Sequence, residues 1–387
     1  MTIDRSNNIF KVAPCLVTAL LLVTSCTAVD VQSPYLTARP YQQYAAKADA
    51  WLLQSQQASG LLPYYFQPST ASAQRENYRL GQLIAAEHLA RLTKPHSRVG
   101  TPSKTQINAM RAIWPALSSE HANDSSGQMS LGEHALWLRI LLLSQDSPQQ
   151  LADSQAADLR GRFSDHDGFP EKLNPESTDS RFMQRYFTGQ AALALFEHAG
   201  ATTSLASLKI AGAALHWLDD NYPPQEKGNF HPTLAPWHAF AIAAQYRLNG
   251  VSPHLDTLFA MSDQLIQLQS DAEFPGRFFT EKGPKFGSPN VVRDALSTLT
   301  LITSLDIAAD LGDSKRQKQY RKAIWLALDN LRSLQYDHGV VTTFAQPMKA
   351  VGALRFRHND EMIRLDGVVF SAKVFARAAI MIQNGRL

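Results

Sequence analysis

The chain has 387 residues, is 44% hydrophobic and 18% charged, and carries a formal net charge of +3. That composition belongs to a globular protein with a large core, and a mild charge without any Lys/Arg block excludes a nucleic-acid-binding surface. Two cysteines in the whole chain, Cys15 and Cys26, leave no room for a disulfide framework or a thiolate metal site.

Arg5 and Lys11 precede an apolar run over residues 12–23, VAPCLVTALLLV, which is short for a membrane span and has the build of an export signal. The run ends at Val23-Thr24-Ser25-Cys26, which resembles the bacterial lipobox. The resemblance implies that residues 1–25 are removed as a signal peptide and that Cys26 is acylated as the new N-terminus. Thr27 in place of Asp then implies the outer membrane, with the body facing the periplasm. The alternative is an ordinary secretory signal with an incidental cysteine. Residues 26–36 form a short tether, and residues 37–387 are expected to form a single domain.

Two kinds of helical segment alternate along that domain. One kind is amphipathic with a charged face: residues 40–56, 104–117, 148–162, 202–220, 253–269 and 313–335. In the last of these, Tyr320, Ile324, Leu328 and Leu331 share one side and the charges share the other. The second kind is rich in Ala and Leu: residues 78–92, 131–143, 188–198, 235–248, 291–311 and 365–382. Such segments are apolar on nearly every side, so other helices must cover them all round. Gly200, Asn249-Gly250 and Gly312 mark helix ends. Six outer helices therefore alternate with six inner ones. Links from outer to inner helices are long and carry Gly with aromatics, as in Gly60 to Tyr65, Asp167-Gly168-Phe169-Pro170 and Phe274 to Phe279, so the long loops gather at the end where inner helices start.

This alternation, with Gln56 to Gly60 and Gln335 to Gly339 just after outer helices, resembles the α/α-toroid class. The class includes six-hairpin glycosidases, N-acylglucosamine 2-epimerase-like proteins and terpene cyclase toroids. The resemblance implies an all-α (α/α)6 fold with a ligand, most often a carbohydrate, in the funnel at the loop end. No DDxxD run supports a terpenoid cyclase.

Glycoside chemistry needs two carboxyl groups about 5 to 9 Å apart, one protonated and one ionised. Glu171, beside Gly168-Phe169-Pro170, is the candidate proton donor; a solvated glutamate paired with Lys172 is its plain alternative. Asp294 and Asp366 open the fifth and sixth inner helices, where the helix dipole favours a carboxylate suited to act as base. Arg293 and Arg364 are ready partners that would make either aspartate structural. Glu133, in Ser130-Leu131-Gly132-Glu133, has capping-box spacing and reads as structural. Asp360 and Glu361 lie near the mouth without an evident role.

For substrate contact the candidates are Tyr65, Phe169, Arg185, Tyr186, Trp237, His238, Phe279 and Arg293. Flat rings suit the apolar faces of sugars, and the polar groups suit hydroxyls; packing between hairpins is the alternative for each. His231 and His238 match no standard ligand spacing, so no metal is expected. No GxGxxG, GxxxxGK or GxSxG occurs, so neither a cofactor nor a serine nucleophile is expected. The functional expectation is an envelope lipoprotein that binds and processes a glycan or polysaccharide, with hydrolysis ahead of epimerisation or elimination. The alternative is a non-catalytic lipoprotein docking a polymer, peptide or protein partner in the envelope.

Overall fold

The computed structural model describes residues 34–74, 78–93, 108, 129–144, 149–170, 178–226, 229–269, 274–278 and 286–387. The signal, Cys26, the 104–117 outer helix except residue 108, Glu171 and Phe279 lie outside these residues. Outer helices α1 (Pro34–Ser55), α4 (Gln149–Gly161), α6 (Leu205–Asn221), α8 (Leu255–Gln267) and α10 (Ser314–Leu334) alternate with inner helices. The inner ones are α2 (Arg79–Leu92), α3 (Leu131–Leu143), α5 (Thr178–Thr202), α7 (Ala235–Asn249), α9 (Val291–Asp310) and α11 (Leu365–Gln383).

Inner helices pack in the order α2, α3, α5, α7, α9 and α11, and α11 returns to α2, which closes a ring. Composition explains the two layers. In α7, Ala239, Ala241, Ile242 and Ala243 are all buried, covering successive directions around the helix. In α10 only one stripe is buried, including Tyr320, Ile324, Leu328 and Leu331, as the sequence pattern requires.

Close approach of inner helices depends on glycine. A Cβ at Gly189 of α5 would lie 2.9 Å from the backbone of Trp237 and His238 on α7, and one at Gly132 of α3 would run into the Phe187 ring. At both points a side chain would push neighbouring staves of the ring apart.

Three features differ from the expectation, the first being that α1 starts at Pro34, inside the segment expected to be tether. Helix α5 starts at Thr178, so Arg185, Tyr186 and Phe187 are already helical; Gly189 sits inside the helix as a contact point. The long loops of the first and last hairpins also form a small sheet. Strands β1 (Tyr65–Gln67), β2 (Ser72–Gln74), β3 (Arg355–Arg357) and β4 (Asp360–Arg364) pair in the order β2-β1-β4-β3. Antiparallel pairing of β1 with β4, through Tyr65 opposite Arg364 and Phe66 opposite Ile363, ties the two ends of the helical series together. Among the described residues no helix is long and apolar enough to cross a membrane.

Candidate active site

The N-termini of the inner helices converge at the loop end, which concentrates their positive dipole ends there. Depth is set by aromatics. Trp237 of α7 meets Phe370 of α11 edge to face at 6.2 Å, and these helices are not neighbours in the ring, so the rings meet across the axis and form a floor. Tyr186 of α5 packs against the other side of Trp237 at 6.1 Å.

Asp366, in the first turn of α11, is 6% exposed. It accepts hydrogen bonds from Arg364 Nε and Nη2, each at 2.7 Å, and from the Tyr64 hydroxyl at 3.2 Å. A carboxylate offers about four lone-pair positions, so this arrangement leaves one for a ligand. Burial, followed by the Asp366 charge, raises the Tyr64 and Tyr78 hydroxyls above their ordinary range. The Tyr186 hydroxyl is raised chiefly by burial, and Asp366 adds to it from across the axis. All three tyrosines thus stay protonated and able to donate. Tyr65 and Tyr78 pack on Tyr64 at 4.6 and 4.8 Å, which gives the wall an aromatic surface.

Several arginines gather here. Burial lowers the Arg293 guanidinium, and the charges of Arg364 and Arg357 lower it further, while its Nη1 donates to the Phe286 and Ser288 carbonyls at 2.6 and 3.1 Å. Arg79, at the start of α2, lies 3.8 Å from Glu133. Four arginines therefore stand among the carboxylates Glu133, Asp360, Glu361 and Asp366. Glu133 and Asp366 have arginine partners already, and Asp360 stands opposite Arg357 in the sheet. The Glu133 side chain is further engaged by Ser130, with which it forms the expected capping box.

The other candidates separate according to which face of their helix they occupy. Asp294 does not face the funnel. It is 1% exposed and points towards α10, accepting from the Phe278 backbone N–H at 3.1 Å and from Asn330 Nδ2 at 3.0 Å. Burial raises its pKa to about 6. Asn330 Oδ1 in turn meets His358 Nε2 at 2.8 Å, and Phe274 stacks on that imidazole at 4.0 Å. This chain of contacts joins inner helix, outer helix and loop. Its members are scattered through the sequence, and only their polarity could have drawn attention to them.

Phe169 is fully buried and packs on Phe163 at 5.1 Å, so it belongs to the core between hairpins. Arg185 lies over the Tyr222 ring at 3.8 Å and donates to the Asn229 carbonyl at 2.7 Å, turned away from the axis. His238 sits 3.3 Å from Asp219 of outer helix α6, whose other oxygen meets His254 Nδ1 at 2.6 Å. Burial pushes the Asp219 carboxyl up, but the two histidines outweigh it and hold the group low. Together Arg185, His231 and His238 line a cavity of about 20 Å³ between hairpins. Tyr65, Tyr186, Trp237, Arg293 and Asp366 are the expected residues that the fold brings to the mouth. Tyr64, Tyr78, Arg79 and Arg357 join them.

No model of a known protein family matches the sequence, and no curated protein matches it. Solved structures match over nearly the whole chain. D-mannose isomerase superposes with a TM-score of 0.63 at 12% identity, covering 92% of this chain and 99% of its own. An unsaturated glucuronyl hydrolase from Streptococcus agalactiae gives 0.65 at 9% identity, covering 91% and 96%. This chain has the α/α-toroid fold. A family 76 glycoside hydrolase (mannosidase) from Bacteroides thetaiotaomicron gives 0.56 at 10% identity with the toroid, covering 89% and 99%. At such identities the shared property is the path of the chain, and the toroid's chemistry rests on its own side chains.

Proposed function

We propose that the toroid binds an acidic glycan at its mouth and processes it by acid/base chemistry, hydrolysis foremost, as a lipoprotein of the bacterial envelope. One observation carries the substrate class: Arg293 is held near Arg357 and Arg364, whose charges act against its own, at the converging helix N-termini. Carboxylate or sulfate groups on a sugar would relieve that repulsion through charge-assisted hydrogen bonds. Tyr65, Tyr78 and Tyr186, which are not fully buried, suit the apolar faces of the rings. Three of the solved structures with this fold are unsaturated glucuronyl hydrolases by title, one of them described as specific for heparin.

In this reading Asp366 is the base, using the lone pair that Arg364 and Tyr64 leave open. Glu171 is the proton donor. Asp294, turned towards Asn330, takes no part at the mouth. Localisation follows from the lipobox: Cys26 carries the lipid, and the body faces the periplasm from the outer membrane.

A second reading is favoured by the pairing of Asp366 with Arg364 and of Glu133 with Arg79. In it the mouth holds an acidic polymer or a partner protein without turnover. Incubation with acidic envelope glycans, with products followed by mass spectrometry, separates the two. Products that disappear in Glu171→Gln and Asp366→Asn, with binding retained, support catalysis. Binding without product supports docking of an acidic polymer, and an absence of binding to any acidic glycan discards catalysis on one and leaves only a partner protein.

A further inference from the structure

The end of the toroid opposite the mouth has the make-up of a membrane-contacting face. Here the inner helices end and short turns lead to the outer helices. Eight large hydrophobic side chains are exposed among the described residues, and five of them, Leu151, Leu205, Leu248, Val251 and Leu311, lie at these turns. Leu205 is 78% and Val251 68% exposed. Tyr78, Val340 and Met348, the remaining three, lie towards the mouth. Core packing does not require aliphatic side chains at the tips of successive turns, and a set on one face marks an interaction surface.

Charge at these turns is compatible with phosphate headgroups. Arg247 is half exposed and bridges to Asp306, Lys315 and Asp256 are exposed, and Asp310 and Asp313 are tied to Arg386 and Arg316. A cavity of about 390 Å³ at the same end has apolar walls from Leu193, Phe196, Phe240 and Leu248, with Arg91 and Arg247 among its lining.

The direction of the first helix decides which partner covers this face. Ala38, near the start of α1, packs on Ala379 and Ile382 at the end of α11, so the chain enters the toroid at the base. Seven residues, 27–33, separate Cys26 from α1. At 3.3–3.6 Å each they reach at most about 25 Å, whereas the 19 residues of α11 make the ring roughly 28 Å tall. A lipid on Cys26 therefore brings the base, and not the mouth, to the bilayer. We infer that the base lies on the lipid surface, with Leu205, Leu248, Val251 and Leu311 inserted among the headgroups, and that the funnel opens away from the membrane. The tether argument rests on the lipid-anchor reading; the exposed aliphatic face does not.

After removal of the signal the chain has no cysteine other than Cys26, so single labels are specific. The full protein, with Leu205→Cys, Val251→Cys or Leu311→Cys at the base and Val340→Cys or Met348→Cys towards the mouth, is labelled with a fluorophore. It is then reconstituted on phosphatidylethanolamine/phosphatidylglycerol vesicles containing nitroxide-labelled lipid. Base labels should be quenched several-fold more than the other two. Equal or reversed quenching overturns the proposal, as does protection of base labels from aqueous iodide without quenching by lipid, which would indicate a second protein copy. The intact mass reports acylation independently. Base quenching in a chain with unmodified Cys26 would discard the anchor and keep the surface, whereas acylation without base quenching would discard the surface and keep the anchor.

Discussion

The two ends of the ring handle charge in opposite ways. At the base, Glu87 is fully buried and bonded by Arg91, Arg139 and Lys373, while Glu197 takes Arg91 and Arg139 as well. Burial pushes the Glu87 carboxyl up, yet the three cations outweigh it and hold the group well below its ordinary range. Four inner helices, α2, α3, α5 and α11, are joined by this network. At the mouth the charges of Arg364 and Arg357 act against Arg293, while Glu133 and Asp366 are committed to Arg79 and Arg364. A closed network stabilises the ring, whereas neighbouring arginines at a loop end form an arrangement that an anion completes.

The contrast breaks if the base tolerates the loss of its central charge. Glu87→Gln leaves Lys373 without a carboxylate and Arg91 and Arg139 with Glu197 alone, and should cost about 3–5 kcal/mol in urea unfolding. A loss below 1 kcal/mol would mean that the network is not structural.

Asp294 gives the next effect. Its pKa is about 6 in the fold, against roughly 3.9 in an unfolded chain. Its stabilising contribution is complete below pH 4 and is lost as pH rises through 6. Relative to Asp294→Asn, the wild type should lose roughly 2 to 3 kcal/mol between pH 4 and pH 7. His358 is shifted the opposite way, lowered to about 4 by burial and then by Arg277 and Arg355. Only the difference between wild type and variant isolates Asp294, and a flat difference across that range would refute the raised pKa.

Gly189→Ala should cost about 1–3 kcal/mol, because the added methyl meets the backbone of α7. Ser130→Ala, which opens the capping box, should cost about 1 kcal/mol. If both changes left the midpoint of denaturation in place, the inner ring would be looser than its packing implies.

Most of the fold was legible because its signals are local. The Ala- and Leu-rich segments gave the inner helices to within a residue or two at α2, α3, α7, α9 and α11, and the capping-box spacing placed Glu133 correctly as structural. At α5 the aromatic lead-in obscured where the helix starts. The small sheet went unread because strands of three to five residues carry too little periodicity to register, and β1 pairs with β4 across nearly the whole chain.

The site was legible only to the level of helix end. Asp294 and Asp366 occupy similar first-turn positions, yet one turns to the outer layer and the other to the funnel. About 100° of rotation per residue decides this, and that rotation depends on packing which no short motif encodes. Arg185 and Tyr186 show the same thing one residue apart: the arginine goes to Tyr222 and the tyrosine to the axis.

Calorimetric titration of the purified chain with an oligouronide, and with a neutral oligosaccharide of the same length, tests the central claim most directly. The acidic ligand alone should bind, its affinity should fall steeply with added salt, and Arg357→Gln should weaken it about ten-fold while leaving the urea midpoint unchanged. Equal binding of both ligands, or an oligouronide affinity indifferent to salt and to Arg357, would contradict an acidic-glycan site at the mouth.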